Sequence, residues 1–284
     1  MANIKADGRQ LTYSYDAAGN RTAVTTPEKT TTYAFDALNR LREVTAPGSG
    51  KTTYTYDAVG NRARVTYPNG AITTYTYDAL NRLTRLENRA GSGSLISAYV
   101  YTLAPAGNRI RVVEEHSGRE VAYTYDELYR LIQETITGQA GTTTFQYSYD
   151  AVGNRLSKND STTGLTTYTY DANDRLISEV RPDGSLLHVY DANGNLLSRS
   201  DGEDVDAYTY DTEDRLVQAI TALGNQSGVV NYGYDPSGIR TSKTTNGVPT
   251  TYLVDKNRPY AQVLLESTGG SSVSYVYGDD LISM

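Results

Sequence analysis

The 284-residue chain has no cysteine and no tryptophan, only two histidines and two phenylalanines, and a combined Leu, Ile, Val and Phe content of about a fifth. Each shortage removes a class of protein. Without cysteine there is neither a disulfide framework nor a thiolate metal site. With two histidines, a Ser-His-Asp triad or a histidine-rich metal centre has little support. No apolar run approaches the length of a membrane-spanning helix, and the opening MANIKADGRQ lacks the apolar core of a signal peptide. A net charge of −7 opposes binding to a phosphate backbone, so neither nucleic acid nor membrane insertion is expected. So little aliphatic content borders on the composition of disordered chains.

Tyrosine supplies what the aliphatics do not. All but Tyr67, Tyr129 and Tyr260 of the 26 tyrosines fall in a repeated Tyr-x-Tyr or its variants. The stretch Thr73–Leu83, TTYTYDALNRL, recurs about every 21 residues, which is the mark of a repeat architecture. Taking the second aromatic as anchor, the units fall at Tyr15, Phe35, Tyr56, Tyr77, Tyr101, Tyr125, Tyr149, Tyr170, Tyr190, Tyr210, Tyr234, Val254 and Tyr277. Residues 1–284 thus read as a single array of about thirteen units.

Within a unit, Thr/Tyr alternation predicts a β-strand with both tyrosines on one side. An aspartate ends the strand and starts a turn, as at Asp16, Asp57, Asp78, Asp150, Asp171 and Asp211. Three residues further on stand Gly19, Asn39, Gly60, Asn81, Gly153, Asp174, Gly194, Asp214 and Gly238, all types that tolerate positive φ. A four- or five-residue hairpin loop is expected there. Tyr129 is a misfit, and the delayed Gly107 predicts a wider turn in the fifth unit. A second strand follows, then a breaker such as Pro68-Asn69-Gly70, so the array reads as an antiparallel meander with no helix. Residues 88–97 and 222–228 read as longer loops. Units alternate between Asp-x-x-Gly-Asn-Arg, with Asn20, Asn61 and Asn154, and Asp-x-Leu-Asn-Arg-Leu. One expected cause is that Leu38 or Leu80 covers the glycine turn beside it.

About 24 strands at roughly 4.8 Å make a sheet some 115 Å wide, which must curl. Closed into one turn, it would be roughly 35 to 40 Å across, too wide for side chains to fill. At this point the chain resembles the RHS or YD-repeat family, whose signature stands at Tyr54-Thr55-Tyr56-Asp57-Ala58-Val59-Gly60-Asn61-Arg62 and again at residues 147–155. The resemblance covers essentially the whole chain. It implies an all-β hollow wall, spiral or barrel-like, that in bacterial toxins of the family houses a C-terminal toxin cargo behind an RHS-associated core. It also implies a secreted or cell-surface parent protein. Tyr275-Val276-Tyr277-Gly278-Asp279-Asp280-Leu281-Ile282-Ser283 resembles the entrance to that core, and the array reads as a fragment of a longer shell.

Several residues invite a catalytic or binding reading. Equivalent turn aspartates should lie two strands, roughly 10 Å, apart, too far for a retaining glycosidase pair. Asp235-Pro236-Ser237-Gly238-Ile239 is similar to family cleavage sites, but it sits in repeat phase and reads as a turn. His188 replaces a ladder tyrosine, His116 lies in a charged turn, and residues 201–206 form an acidic loop without EF-hand spacing. No cofactor, metal or catalytic residue is assigned. The repeat motif carried by Tyr15, Asp16, Gly19, Asn20, Tyr56, Asp57, Gly60, Asn61, Tyr77, Asp78, Asn81, Tyr149, Asp150, Gly153, Asn154, Tyr170, Asp171, Tyr210 and Asp211 is expected to be structural. The expected function is a non-catalytic wall around a toxin cargo. The alternative is a module that binds cell-surface glycans through its tyrosine faces. Uncharged edges near residues 11–15 and 272–277 are expected to be unpaired, and either to pair with each other and close a ring or to pair between molecules in edge-to-edge self-association, which is favoured.

Overall fold

The computed structural model describes residues 2–4, 10–225 and 227–283. Among them the backbone is β-strand and turn throughout, apart from one 3-10 turn at Leu223–Asn225. The chain divides into two compact units. The first comprises Met1–Tyr101, Glu114–His116 and Thr251–Met284, the second Thr102–Val113 and Ser117–Thr250.

In the first unit the strands Ala2–Ile4, Gln10–Tyr15, Arg21–Thr25, Thr30–Phe35, Leu41–Ala46, Gly50–Tyr56, Arg62–Thr66, Ile72–Tyr77, Leu83–Arg89 and Leu95–Leu103 each pair antiparallel with the next. The second unit repeats the meander from Arg119–Tyr125 to Arg240–Thr245. The hairpins that follow Gln10–Tyr15, Gly50–Tyr56, Ile72–Tyr77, Arg119–Tyr125, Gly141–Tyr149, Gly164–Tyr170, Val205–Tyr210 and Gly228–Tyr234 shift register immediately before the second aromatic, for example between Thr55 and Tyr56 and between Thr169 and Tyr170. Such bulges bend and twist the strand locally.

The buried core of the first unit is built from both ends of the chain. Leu11, Tyr13, Val24, Tyr33, Val44, Tyr54 and Val65 pack with Leu253, Leu264, Leu265 and Val276. Residues 251–283 therefore cover the tyrosine face of the first strands. This corrects the expected open edge at residues 11–15. Gln10–Tyr15 is paired on both sides, because residues 2–4 add a strand to it. At the other end Val276 is 2% exposed within the core, while Ser271–Ser274 pairs with Gln262–Thr268 on one side.

Two loop expectations also change. Strands Leu83–Arg89 and Leu95–Leu103 enclose a tight turn in which Ala90 N–H donates to Ser94 C=O at 2.9 Å, so half of residues 88–97 is strand and the loop is short. In the fifth unit Leu95–Leu103 simply runs two residues past Tyr101, and Ala104 takes the aspartate's place. The Ala104–Asn108 turn then has the same hydrogen bonds as its neighbours and is no wider.

Candidate functional site

The recurring chemistry is concentrated at the turns and on the tyrosine face beside them. In the first turn Asp16 N–H donates to Asn20 C=O at 3.0 Å and Gly19 N–H to Asp16 C=O at 3.1 Å, with φ +87° at Gly19. This is a type I turn closed by a left-handed residue, the three-residue hairpin form. Asp57, Asp78, Asp126, Asp150, Asp171, Asp191, Asp211 and Asp235 head the same arrangement. The left-handed residue is Asn39 (φ +59°), Asn81 (+59°), Asp174 (+60°) or Asp214 (+58°) in one kind of turn, and Gly60, Gly153, Gly194 or Gly238 in the other. Tyr129 takes φ +61°, so a bulky residue is carried at the same strained place. Asp235–Ile239 is one more such turn, Asp235 N–H donating to Ile239 C=O at 2.9 Å.

The aspartate side chain organises the loop. Asp16 Oδ1 accepts from the N–H groups of Ala18 and Asn20, and its Oδ2 from Asn20 Nδ2 at 2.9 Å. In the alternate turns an arginine replaces the asparagine: Arg40, Arg82, Arg130, Arg175 and Arg215 each place Nε 2.7 Å from the carboxylate four residues earlier. These bonds hold the carboxylates below the ordinary aspartate value. In Asp16 and Asp191 the leading cause is the asparagine amide, and in Asp36, Asp78, Asp126, Asp171 and Asp211 it is the backbone N–H of the arginine.

Neighbouring turns are tied to one another, which explains why the two kinds alternate. In four of the glycine turns the asparagine also donates to the left-handed residue of the next turn: Asn20 to Asn39 at 2.9 Å, Asn61 to Asn81 at 2.9 Å, Asn154 to Asp174 at 2.8 Å and Asn195 to Asp214 at 2.7 Å. A glycine turn supplies the donor, and an Asn/Asp turn supplies an acceptor that glycine could not. The arginine of that second turn reaches forward in its turn. Arg40 lies 4.5 Å from the Tyr56 ring centroid, Arg130 5.0 Å from Tyr149, Arg175 5.2 Å from Tyr190 and Arg215 5.1 Å from Tyr234. The expected role of Leu38 and Leu80 is overturned. They are 70% and 69% exposed and cover nothing, because the coupling is made by polar atoms.

Both tyrosines of the repeat are engaged. The second donates its hydroxyl to a strand carbonyl of the preceding unit: Tyr56 to Leu41 at 2.7 Å, Tyr77 to Arg62 at 3.0 Å, Tyr149 to Leu131 at 2.7 Å and Tyr170 to Arg155 at 2.9 Å. Tyr210 is half-buried in the same position, and its phenol is pushed up by burial. The first tyrosine meets an arginine from the Gly-Asn-Arg turn. Arg62 stands 5.9 Å from Tyr54 and 5.6 Å from Tyr75, and Arg155 6.0 Å from Tyr147 and 4.5 Å from Tyr168. Along this face rings alternate with guanidiniums. Tyr15 is the outlier, 46% exposed, with Asn257 hydrogen-bonded to its hydroxyl.

The residue directly across the ladder from each first tyrosine differs between the two units. In the first it is Val24, Val44, Val65 or Leu86. In the second it is Glu134, Lys158, Glu179, Ala219 or Lys243, and Arg199 across from His188. The tyrosine face is consequently dry in the first unit and half-exposed in the second. Two aspartates are buried. Asp255, 0% exposed, is ion-paired with Arg21 and accepts from Tyr13 at 2.9 Å. Asp206, expected in a solvated acidic loop, is instead 2% exposed: it accepts from Ala222 N–H at 2.9 Å and Leu223 N–H at 3.1 Å and is held by Arg199 at 2.6 Å. Burial works to raise Asp206, but those donors hold it below the ordinary value. Burial, and then the Arg199 charge, push the His188 imidazole below its ordinary value. Among the described residues, no group of three or more His, Asp or Glu side chains is placed to hold a metal.

The sequence profile of the teneurin YD-shell matches residues 106–284, and that of the RHS repeat matches residues 4–32, 35–72 and 56–92. No curated protein matches. Among solved structures, the crystal structure of TcdB2-TccC3-Cdc42 aligns with a TM-score of 0.73 at 20% identity over 96% of this chain and 16% of that one. The crystal structure of TcdB2-TccC3 gives 0.61 at 18% identity over 94% and 17%. The Tc holotoxin pore of Photorhabdus luminescens gives 0.50 at 15% identity over 98% and 18%. This chain spans about a sixth of the length of those structures. With a meander of aspartate-headed turns along its length, and a match that covers more than half of its residues, the chain belongs to the teneurin YD-shell family.

Proposed function

We propose that the chain is a structural wall, part of an encapsulating shell around a C-terminal toxin cargo and RHS core in a secreted or cell-surface parent protein, with no catalysis of its own. One observation carries this reading: the repeated reactive side chains are committed to one another. Turn aspartates are consumed as caps, tyrosine hydroxyls donate to backbone carbonyls, and guanidiniums lie against rings. Groups engaged in this way stiffen a wall and are not poised as nucleophile or base toward a substrate. The charged residues across from the second unit's tyrosines suit a wetted lining. Glycan binding loses support, since the ring faces it would use are met by arginines.

The test is limited proteolysis of the full-length parent protein. Polypeptide that follows the array should resist cleavage while the array is folded and become sensitive when Asp255→Asn loosens it. Equal cleavage in both would reject enclosure. Saturable binding to a glycan array, lost on changing one tyrosine pair without loss of fold, would favour the alternative.

A further inference from the structure

The side of the sheet opposite the tyrosines differs between the two units as sharply as the tyrosine side does. In the first unit this back face carries Glu43, Lys51, Arg64, Arg85, Glu87 and Arg89, with ion pairs such as Lys51–Glu43 at 3.0 Å and Arg85–Glu87 at 2.7 Å. In the second unit, no Asp, Glu, Lys or Arg occupies a paired back-face position from Leu131–Gly138 through Arg240–Thr245. The positions hold Ser, Thr, Asn, Gln and aliphatic residues. Val180, Leu187, Val189, Val205, Ile220 and Val229 are between 38% and 53% exposed there. They are contiguous in the ladder: Val180 pairs with Ser185, Leu187 with Ser200, Ser200 with Val205, and Ile220 with Ala207 and Val229.

The geometry points to this face as a docking surface for the same face of a second copy of the chain. Three arguments select that occupant. A soluble protein rarely leaves a contiguous apolar patch of several hundred Å² open unless something covers it. A face without charge brings no like-charge repulsion when set against itself, and offers a charged partner nothing to pair with. Its size also fits. The seven strands from Gly164–Tyr170 to Gly228–Tyr234 span about 34 Å by roughly 20 Å, or about 700 Å², close to the ~800 Å² per partner of a standard interface. Two sheet faces packed in this way form a sandwich about 10 Å thick. The contact is isologous and closes as a dimer. It is distinct from edge-to-edge pairing, which would use backbone groups.

Sedimentation equilibrium of the whole chain over a wide concentration series tests this. The wild type should dimerise, and Leu187→Glu with Val205→Glu should weaken the dimer by ~100-fold or more, since each burial would desolvate an unpaired carboxylate. Circular dichroism should be unchanged, because both side chains are exposed, and Leu187→Gln should weaken the dimer less. A monomer at every concentration overturns the proposal. So does a dimer that ignores the glutamates but is lost with Val273→Lys, which would place the contact at the strand edge. A monomer that floats with neutral lipid vesicles overturns it too, assigning the face to a lipid surface.

Discussion

Asn61 Nδ2 lies 2.9 Å from Asn81 Oδ1, a hydrogen bond between two turns twenty residues apart that is made while Asn81 sits at φ +59°. Asn81 therefore has two duties, left-handed backbone and acceptor, and substitution can separate them. Asn81→Gly keeps the backbone and loses the bond, and should cost about 1 kcal/mol. Asn81→Ala loses both and should cost about 1 kcal/mol more. A double-mutant cycle with Asn61→Ala, followed by urea denaturation, should return a coupling of ~0.5–1.5 kcal/mol. Additivity of the two changes would show that the turns fold independently.

The tyrosine hydroxyl is separable from its ring. Tyr77→Phe removes the bond to Arg62 C=O and should cost about 1 kcal/mol. Tyr77→Ala adds the loss of a half-buried ring and should cost ~3 kcal/mol. The exposed Tyr15 should tolerate alanine far better. Equal thermal shifts at the two positions would contradict the network described.

Acid should loosen the array through its turns. The folded aspartates lie below their ordinary value of 3.8, so the unfolded chain takes up protons first on acidification. Their contribution is complete above the ordinary value and disappears as pH falls through the lowered folded values. The urea midpoint should be level from neutrality to about pH 5 and decline steadily below pH 4. A midpoint that holds to pH 2 would mean that the caps contribute nothing.

The buried Arg21–Asp255 pair should be the most sensitive point of the first unit. Asp255→Ala leaves a guanidinium beside Tyr13 and Tyr33 without its counter-ion and should cost ~3–5 kcal/mol. Hydrogen exchange should rise in Gln10–Tyr15 and Arg21–Thr25 while strands of the second unit stay protected. Gly278→Ala should act on the same core, since the Tyr54 hydroxyl occupies the space its Cβ would need.

Much of this was legible in the repeat. The aspartate-headed turns, the strand order and the meander follow from residue types whose backbone preferences are local. The links between turns were not, because a bond from Asn20 to Asn39 depends on how two hairpins lie side by side, which spacing alone leaves open. Leu38 was misleading for a simple reason: an apolar residue at a loop tip suggests cover, yet it points to solvent. The contrast between Val44 and Lys158 stood in the sequence. Reading it required the register shift before the second aromatic, which decides the facing side chain. Asp255 holds the ordinary turn position, one residue after the anchor Val254, and its burial gave no warning because its partner Arg21 is 234 residues away.

The core of the first unit also sets a timetable. Couplings between turns join residues about twenty apart, so they can form as each hairpin leaves the ribosome and need only short loops to close. The bond from Arg21 to Asp255 spans 234 residues. The strands that carry Leu11, Val24 and Val44 must then wait, with those side chains still wet, until residues 251–283 have been made. During that interval the nascent array is a row of finished hairpins with an open apolar flank on those strands, the stage at which a chaperone would be needed most.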